Sequence, residues 1–579
     1  MSKFWILNVI LGFTLSAGGS DMSAQAKKTA LPDAAALNRM AVRFAPTDLK
    51  VKISSLSKGD RAALAKLVIA GRLIDHIFLE QFWSGNVALQ KKLLEDKTPL
   101  GKARANYFSI NKGPWSTLDG FAAFLPGVPE RKLEGSNFYP ENMSKAEFES
   151  WLAKLAGKEQ EEAKGFFTVI RRAGDGKFKS IPYSEEYKKD LTRAADLLRE
   201  AAAFTDNATL KRFLTARAGA FLSNDYYESD MAWMDLDAPL DITIGPYETY
   251  NDELYGYKAA FEAYISVRDD AESAKLAAFA AYLQQIEDNL PMDAKYRNPK
   301  LGAAAPIRVV DQVLASGDGA HGITTAAYNL PNDDRVVQQK GSKRVMLKNV
   351  QEAKFERVLL PIAERVLAKS ARADVKFEPF FTHILAHELM HGLGPHQIQV
   401  QGRDTTPREE LKELYSTIEE AKADVTGLWA LQYMMDHAKE MALEKVLPLG
   451  PAAERQLYTT YLASTFRALR FGLSDAHGHG MAIQVNYLMG KGGFAVQPDG
   501  YFALDLERMK TAVRDLDHDL LMIEAKGNYA AAKKMLDAAV TLQPDMQKAI
   551  DKLHDIPTDI NPRFVTAEEI APSKSAKKK

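Results

Sequence analysis

The sequence contains no cysteine. No disulfide can staple the chain, and any metal site must draw its ligands from His, Asp and Glu rather than thiolates. Neither sign of charge dominates: 75 Lys and Arg stand against 76 Asp and Glu, a formal net charge of −1. A concentrated basic surface of the kind that holds a phosphate backbone is therefore not expected, and nucleic acid is excluded as a partner. Membrane-length apolar runs are missing too. The run Phe4 to Ser16, broken by Asn8, Gly12 and Thr14, is shorter than the roughly 20 residues a transmembrane helix needs.

What is present is ordinary for a soluble globular protein. The 579 residues are 46% hydrophobic and 26% charged, enough for several domains or two large lobes. Lys3, the short apolar run and Ala24-Gln25-Ala26 together read as a signal peptide, residues 1–26, cleaved near Ala26. Export is expected, the periplasm being the expected compartment, without stable membrane insertion after cleavage. The Lys-rich end, with Lys574 and Lys577 to Lys579, reads as a solvated tail.

Apolar residues at helical spacing fill most of the chain. Helices are expected within Asp60 to Leu94, Glu185 to Leu222, Asp252 to Leu290, Gln351 to Ala368, Pro379 to Gly392, Arg408 to Met435 and Ala452 to Leu473, and onward to Leu553. Strands are expected at Leu240 to Gly245, Ile307 to Leu314 and Lys343 to Leu347. Gly, Pro and aromatic residues between Pro99 and Asn142 suggest a packed but irregular stretch. The fold class is mainly α with a minor β component (α+β).

The most informative segment is His387-Glu388-Leu389-Met390-His391. Four residues apart on a helix, His387 and His391 share a face and can bind one zinc ion. Glu388 follows the first ligand directly, where its carboxylate can take the proton of an attacking water as general base. Phe380, Phe381, Ile384, Leu385 and Leu389 suit a buried helix, and Gly392, Gly394 and Pro395 stop it. A catalytic zinc needs a third protein ligand. One source is the loop histidine His396. The other is the acidic helix Glu419-Glu420-Ala421-Lys422-Ala423-Asp424, whose apolar continuation through Val425, Leu428 and Leu431 argues that it packs inward.

The two motifs together resemble the dipeptidyl peptidase III family, peptidase family M49, whose usual patterns are His-Glu-x-x-Gly-His and Glu-Glu-x-Arg-Ala-Glu. This chain has the shorter five-residue spacing, with Lys422 for Arg and Asp424 for Glu. The resemblance implies one zinc per chain held by His387, His391 and Glu420, with Glu388 as base and Glu419 and Asp424 orienting the histidines. Further local likenesses follow in the same order. Glu248-Thr249-Tyr250 resembles the family segment whose Glu holds the substrate's amino terminus and whose Tyr assists the transition state. Asn329-Leu330-Pro331-Asn332 resembles its substrate-binding asparagine pair, and His479-Gly480 the segment with its transition-state histidine, His477 being the alternative.

The fold this implies is two-lobed around a cleft, a helical zinc-bearing lobe and a mixed lobe with a small β-core. After the signal peptide, the expected divisions are a mixed lobe over 27–268, a helical-lobe segment over 269–305 and a mixed-lobe segment with the substrate-binding turn over 306–355. The zinc-binding catalytic lobe then spans 356–540, and a C-terminal segment with the basic tail spans 541–579. The function implied is a zinc exopeptidase that cuts oligopeptides near the N-terminus and releases dipeptides. Its alternatives are a zinc endopeptidase, an aminopeptidase of other specificity, or an exported zinc- or peptide-binding protein without turnover.

Overall fold

Long amphipathic runs make most of the elements in the computed structural model, which describes residues 31–301, 306–444, 447–473 and 475–572. Helix α1, Lys58–Phe82, starts at Ser57, whose side chain accepts from the Asp60 amide, and buries Leu64, Leu67, Ile74, Ile77 and Phe78. Helix α2, Lys188–Phe204, packs beside it. The expected signal peptide and the Lys-rich end lie outside the described residues. Among the described residues no helix is long and apolar enough to cross a membrane.

Five strands form the main sheet: β1 (Leu240–Pro246), β2 (Phe261–Arg268), β3 (Ile307–Gly317), β4 (Ala327–Leu330) and β5 (Lys343–Leu347), in the order β1-β2-β3-β5-β4. All neighbours run antiparallel except β3 and β5, where Arg344 is in register with Ile307. The sheet curls strongly, as twisted sheets do. Thr243 Oγ1 on one edge strand lies 2.8 Å from the Tyr328 hydroxyl on the other.

Side chains alternate across a sheet, so each face can bury its own core. Val310, Tyr328, Leu330 and Val345 belong to a core built with α1, α2 and the other N-terminal helices. Val309 and Met346 point into a second core, formed by helices α3 (Phe377–Met390), α4 (Tyr415–Asp436), α5 (Ala476–Gly490) and α6 (Leu506–Ala525). The molecule is thus α+β with two lobes that share the sheet. The chain ends return to the first lobe, where Phe44–Leu49 pairs in parallel with Asp559–Phe564.

Four expectations change. Asp252 to Leu290 is not one helix, because Phe261–Arg268 is β2. Phe261, Ala263, Ile265 and Val267 alternate with Glu262, Tyr264, Ser266 and Arg268, a period-two signal inside a longer run whose apolar residues otherwise fall at helical spacing. The run Glu185 to Leu222 breaks before Asn207, which caps a new helix by accepting from the Leu210 amide. Asp60 to Leu94 likewise divides at Trp83. The stretch from Pro99 is less irregular than its composition suggests, since Pro99–Asn111 is a helix with Pro in its first turn.

Candidate active site

Helix α3 and its C-cap residue put His387 and His391 one turn apart, with Glu388 directly after the first. The two Nε2 atoms lie 3.2 Å apart, their rings perpendicular. Helix α4 crosses beside α3 and supplies the acids. Glu420 Oε2 is 3.4 Å from His387 Nε2 and 3.8 Å from His391 Nε2.

Each imidazole is held from behind. His387 Nδ1 donates to Asp424 Oδ1 at 2.8 Å, and His391 Nδ1 to Glu419 Oε1 at 2.7 Å. In a metal-bound site those bonds would keep the protons on Nδ1 and turn both Nε2 lone pairs to the ion. The carboxylates are braced in turn. Lys422 Nζ lies 2.9 Å from Glu419 and donates to the carbonyls of Met390 and Leu393 at the end of α3. Gln484 donates to Asp424 Oδ2 at 3.0 Å and accepts from the Tyr461 hydroxyl. The sequence carried no signal for Gln484 and Tyr461, since side chains so far along the chain meet Asp424 only through helix packing.

That packing needs small residues. A Cβ on Gly427 of α4 would lie 3.1 Å from the His387 amide nitrogen, and one on Gly480 of α5 would lie 3.2 Å from the Thr417 carbonyl. Close backbone approach lets side chains as short as Asp424 reach the ring they orient.

The arrangement fits a cation. Two imidazole lone pairs and a carboxylate oxygen converge within 4.8 Å. Both Glu420 oxygens are buried without a hydrogen bond. Burial opposes charge on Glu420, yet His387, His477 and His391 hold its carboxyl below the usual range. Burial likewise opposes charge on His387, but Asp424 and Glu420 hold its imidazole well above its ordinary value. A metal ion would replace that proton. His396 stands outside this group. His477 faces it, with Nε2 3.3 Å from Glu420 Oε2, whereas His479 turns to the Leu536 carbonyl at 3.1 Å.

The remaining sequence-derived residues lie on the other lobe. Asn329 stands on β4 opposite Arg344 of β5, and Arg344 Nε lies 3.6 Å from Glu388 Oε2. Asn332 donates to the Tyr247 carbonyl at 3.0 Å, beside Glu248. Glu248 is 5% exposed, and its Oε1 has no hydrogen bond. Burial and the nearby Asp318 push its carboxyl up to about 8. Tyr250, two residues on, is 41% exposed. Between the sheet and α3 is a cavity of about 240 Å³ lined by Ile307, Ala327, Arg344, Met346, Leu385 and Glu388. A larger one of about 560 Å³, beside Phe279 and Leu457, contains none of these groups.

Comparison with known proteins points the same way. Residues 129–405 match the model of peptidase family M49. A solved structure of dipeptidyl-peptidase III from Corallococcus sp. strain EGB is 52% identical, with a TM-score of 0.77, over 94% of this chain and all of that one. Dipeptidyl-peptidase III from Caldithrix abyssi is 45% identical, with a TM-score of 0.87, over 92% of this chain and again all of that one. An Arabidopsis thaliana protein named Nudix hydrolase 3 is 41% identical over 92% of this chain and 74% of its own length. Dipeptidyl peptidase 3 of Dictyostelium discoideum is 27% identical over 38% of this chain and 31% of that protein.

Proposed function

This chain belongs to peptidase family M49, and on that premise we propose that it is a zinc-dependent exopeptidase releasing dipeptides from the N-termini of oligopeptides. It is a metallopeptidase by family. The observation that carries the finer reading is the convergence of one ligand atom each from His387, His391 and Glu420, with Glu388 on the turn between the two histidines.

Zinc, when bound there, supplies a Lewis acid for the scissile carbonyl and acidifies water. The chain's own residues do the rest. Asp424 and Glu419 keep the imidazoles in the ligating tautomer. Glu388 accepts the proton of the attacking water and returns it to the departing amine. His477 and Tyr250 are the donors for the charge that develops on the carbonyl oxygen. Glu248, buried and unpaired at Oε1, suits a substrate ammonium group, with Asn329 and Asn332 for the first peptide units. Anchoring the amine at a fixed distance from Glu388 sets where the cut falls.

The signal-like start supports export, which fractionation of the producing cells would check. The decisive experiment is zinc analysis combined with hydrolysis of dipeptidyl-arylamides. Glu388→Ala should keep its zinc and lose at least about 10²- to 10⁴-fold in kcat. Full activity of that variant would refute the mechanism. Single residues or internal fragments as products would instead favour an aminopeptidase or endopeptidase.

A further inference from the structure

Glu388 differs from the other residues of the metal helix in what orients it. His387 and His391 are held from α4, within their own lobe. Glu388 points the other way, toward the sheet. Among the described residues its ion-pair partner is Arg344, with Nε 3.6 Å from Oε2 and side chains 19% and 10% exposed.

Arg344 is well placed to hold a carboxylate still. It stands within β5, hydrogen-bonded through its amide to the Pro306 carbonyl and in register with Ile307 and Asn329. Residues directly opposite in an antiparallel pair leave the same face, and here that face is turned to α3 across the cavity lined by Arg344 and Glu388. Arg344 Nε is buried with no hydrogen bond, as is Asn329 Oδ1 beside it. The guanidinium is therefore not committed to another acceptor through that atom.

A glutamate has three side-chain torsions, and a base that swings among them is seldom aimed at the reacting water. We infer that Arg344 is a positioning residue for Glu388, a cation on the sheet that fixes the carboxylate of the base on the opposite lobe and so sets kcat. The inference rests on the peptidase reading above, and it ties the aim of the base to the placement of the two lobes.

The test uses zinc-loaded protein. Arg344→Met keeps the stem that packs near Ile307 and Met346 and removes the charge. It should lower kcat on a dipeptidyl-arylamide by about 10- to 100-fold with KM and zinc content little changed. Arg344→Lys, which restores a point charge, should recover part of the loss. A second readout does not depend on turnover. Arg344→Met strands a buried carboxylate, so adding Glu388→Gln to it should raise the melting temperature above that of Arg344→Met alone. Unchanged kcat in Arg344→Met, a loss confined to KM, or additive melting temperatures would overturn the inference. If the wild type cut no dipeptidyl substrate, the peptidase reading would fail while the melting cycle still decided the pair.

Discussion

Glu248 shows how a single side chain joins folding to recognition. Its carboxyl, ordinarily near 4.5, is pushed up to about 8 by burial and by Asp318. The adjoining Glu262, on β2, is raised by burial and by Glu248 itself. Between those two values the folded chain holds a proton that the unfolded chain releases. The stability Glu248 contributes is full below about pH 4.5 and is lost as pH rises toward 8. Against Glu248→Gln, the wild type should therefore lose stability across that window, measured as urea midpoints at successive pH values. Parallel curves for the two proteins would exclude a raised carboxyl. If Glu248 anchors the substrate amine as proposed, the same proton gates the substrate, because an ammonium group competes with it for the carboxylate. KM should fall as pH climbs toward the α-amine's own value of roughly 8 and should flatten in the variant.

At the scale of elements, the site is a matter of how closely three helices approach. Helix α4 lies against α3 only because Gly427 offers no Cβ, and α5 reaches α4 at Gly480. Gly427→Ala should push α4 away from the His387 amide by a few tenths of an ångström. It should cost about 1–3 kcal/mol of stability, read by thermal unfolding, and weaken the Asp424–His387 bond, read as reduced zinc retention under a chelator. A variant with wild-type retention would mean that the helices have slack. The elements also explain which groupings could be read from sequence. The pairs His387/His391 and Glu420/Asp424 were legible because four residues is one helical turn. Strand β2 was overlooked although Phe261, Ala263, Ile265 and Val267 alternate with polar residues, because the helices that follow it lent the longer run a helical spacing. The choice between His477 and His479 was equally closed to inspection, since both flank one glycine and only the setting of α5 turns the first toward Glu420.

At the scale of the whole molecule, two strands far apart in the described sequence are joined, Phe44–Leu49 with Asp559–Phe564. Asp559, on the C-terminal strand that pairs with Phe44–Leu49, meets Lys354 at 3.0 Å, with the two side chains 2% and 4% exposed. It also accepts from the Thr324 amide at 2.6 Å. Lys354 sits near the junction of sheet and helical lobe, where burial and the nearby Arg467 lower its basicity against the pull of Asp559. Asp559→Ala would leave that lysine buried without a counter-charge and should cost about 3–5 kcal/mol. Equilibrium unfolding would read it, and a cost near zero would mean that water reaches the pair. A loose C-terminal segment would carry no such penalty.

By itself the sequence determined which residues were candidates for the chemistry. With no cysteine, a histidine pair one turn apart and an acidic helix downstream, the ligand types, the base and the helix-rich class follow from spacing and donor chemistry. The α5 histidine that faces the metal ligands and the cation that faces the base were left to the tertiary structure, as was the sheet shared by two cores. Those depend on contacts between residues far apart in the chain, which spacing along a helix or strand does not encode.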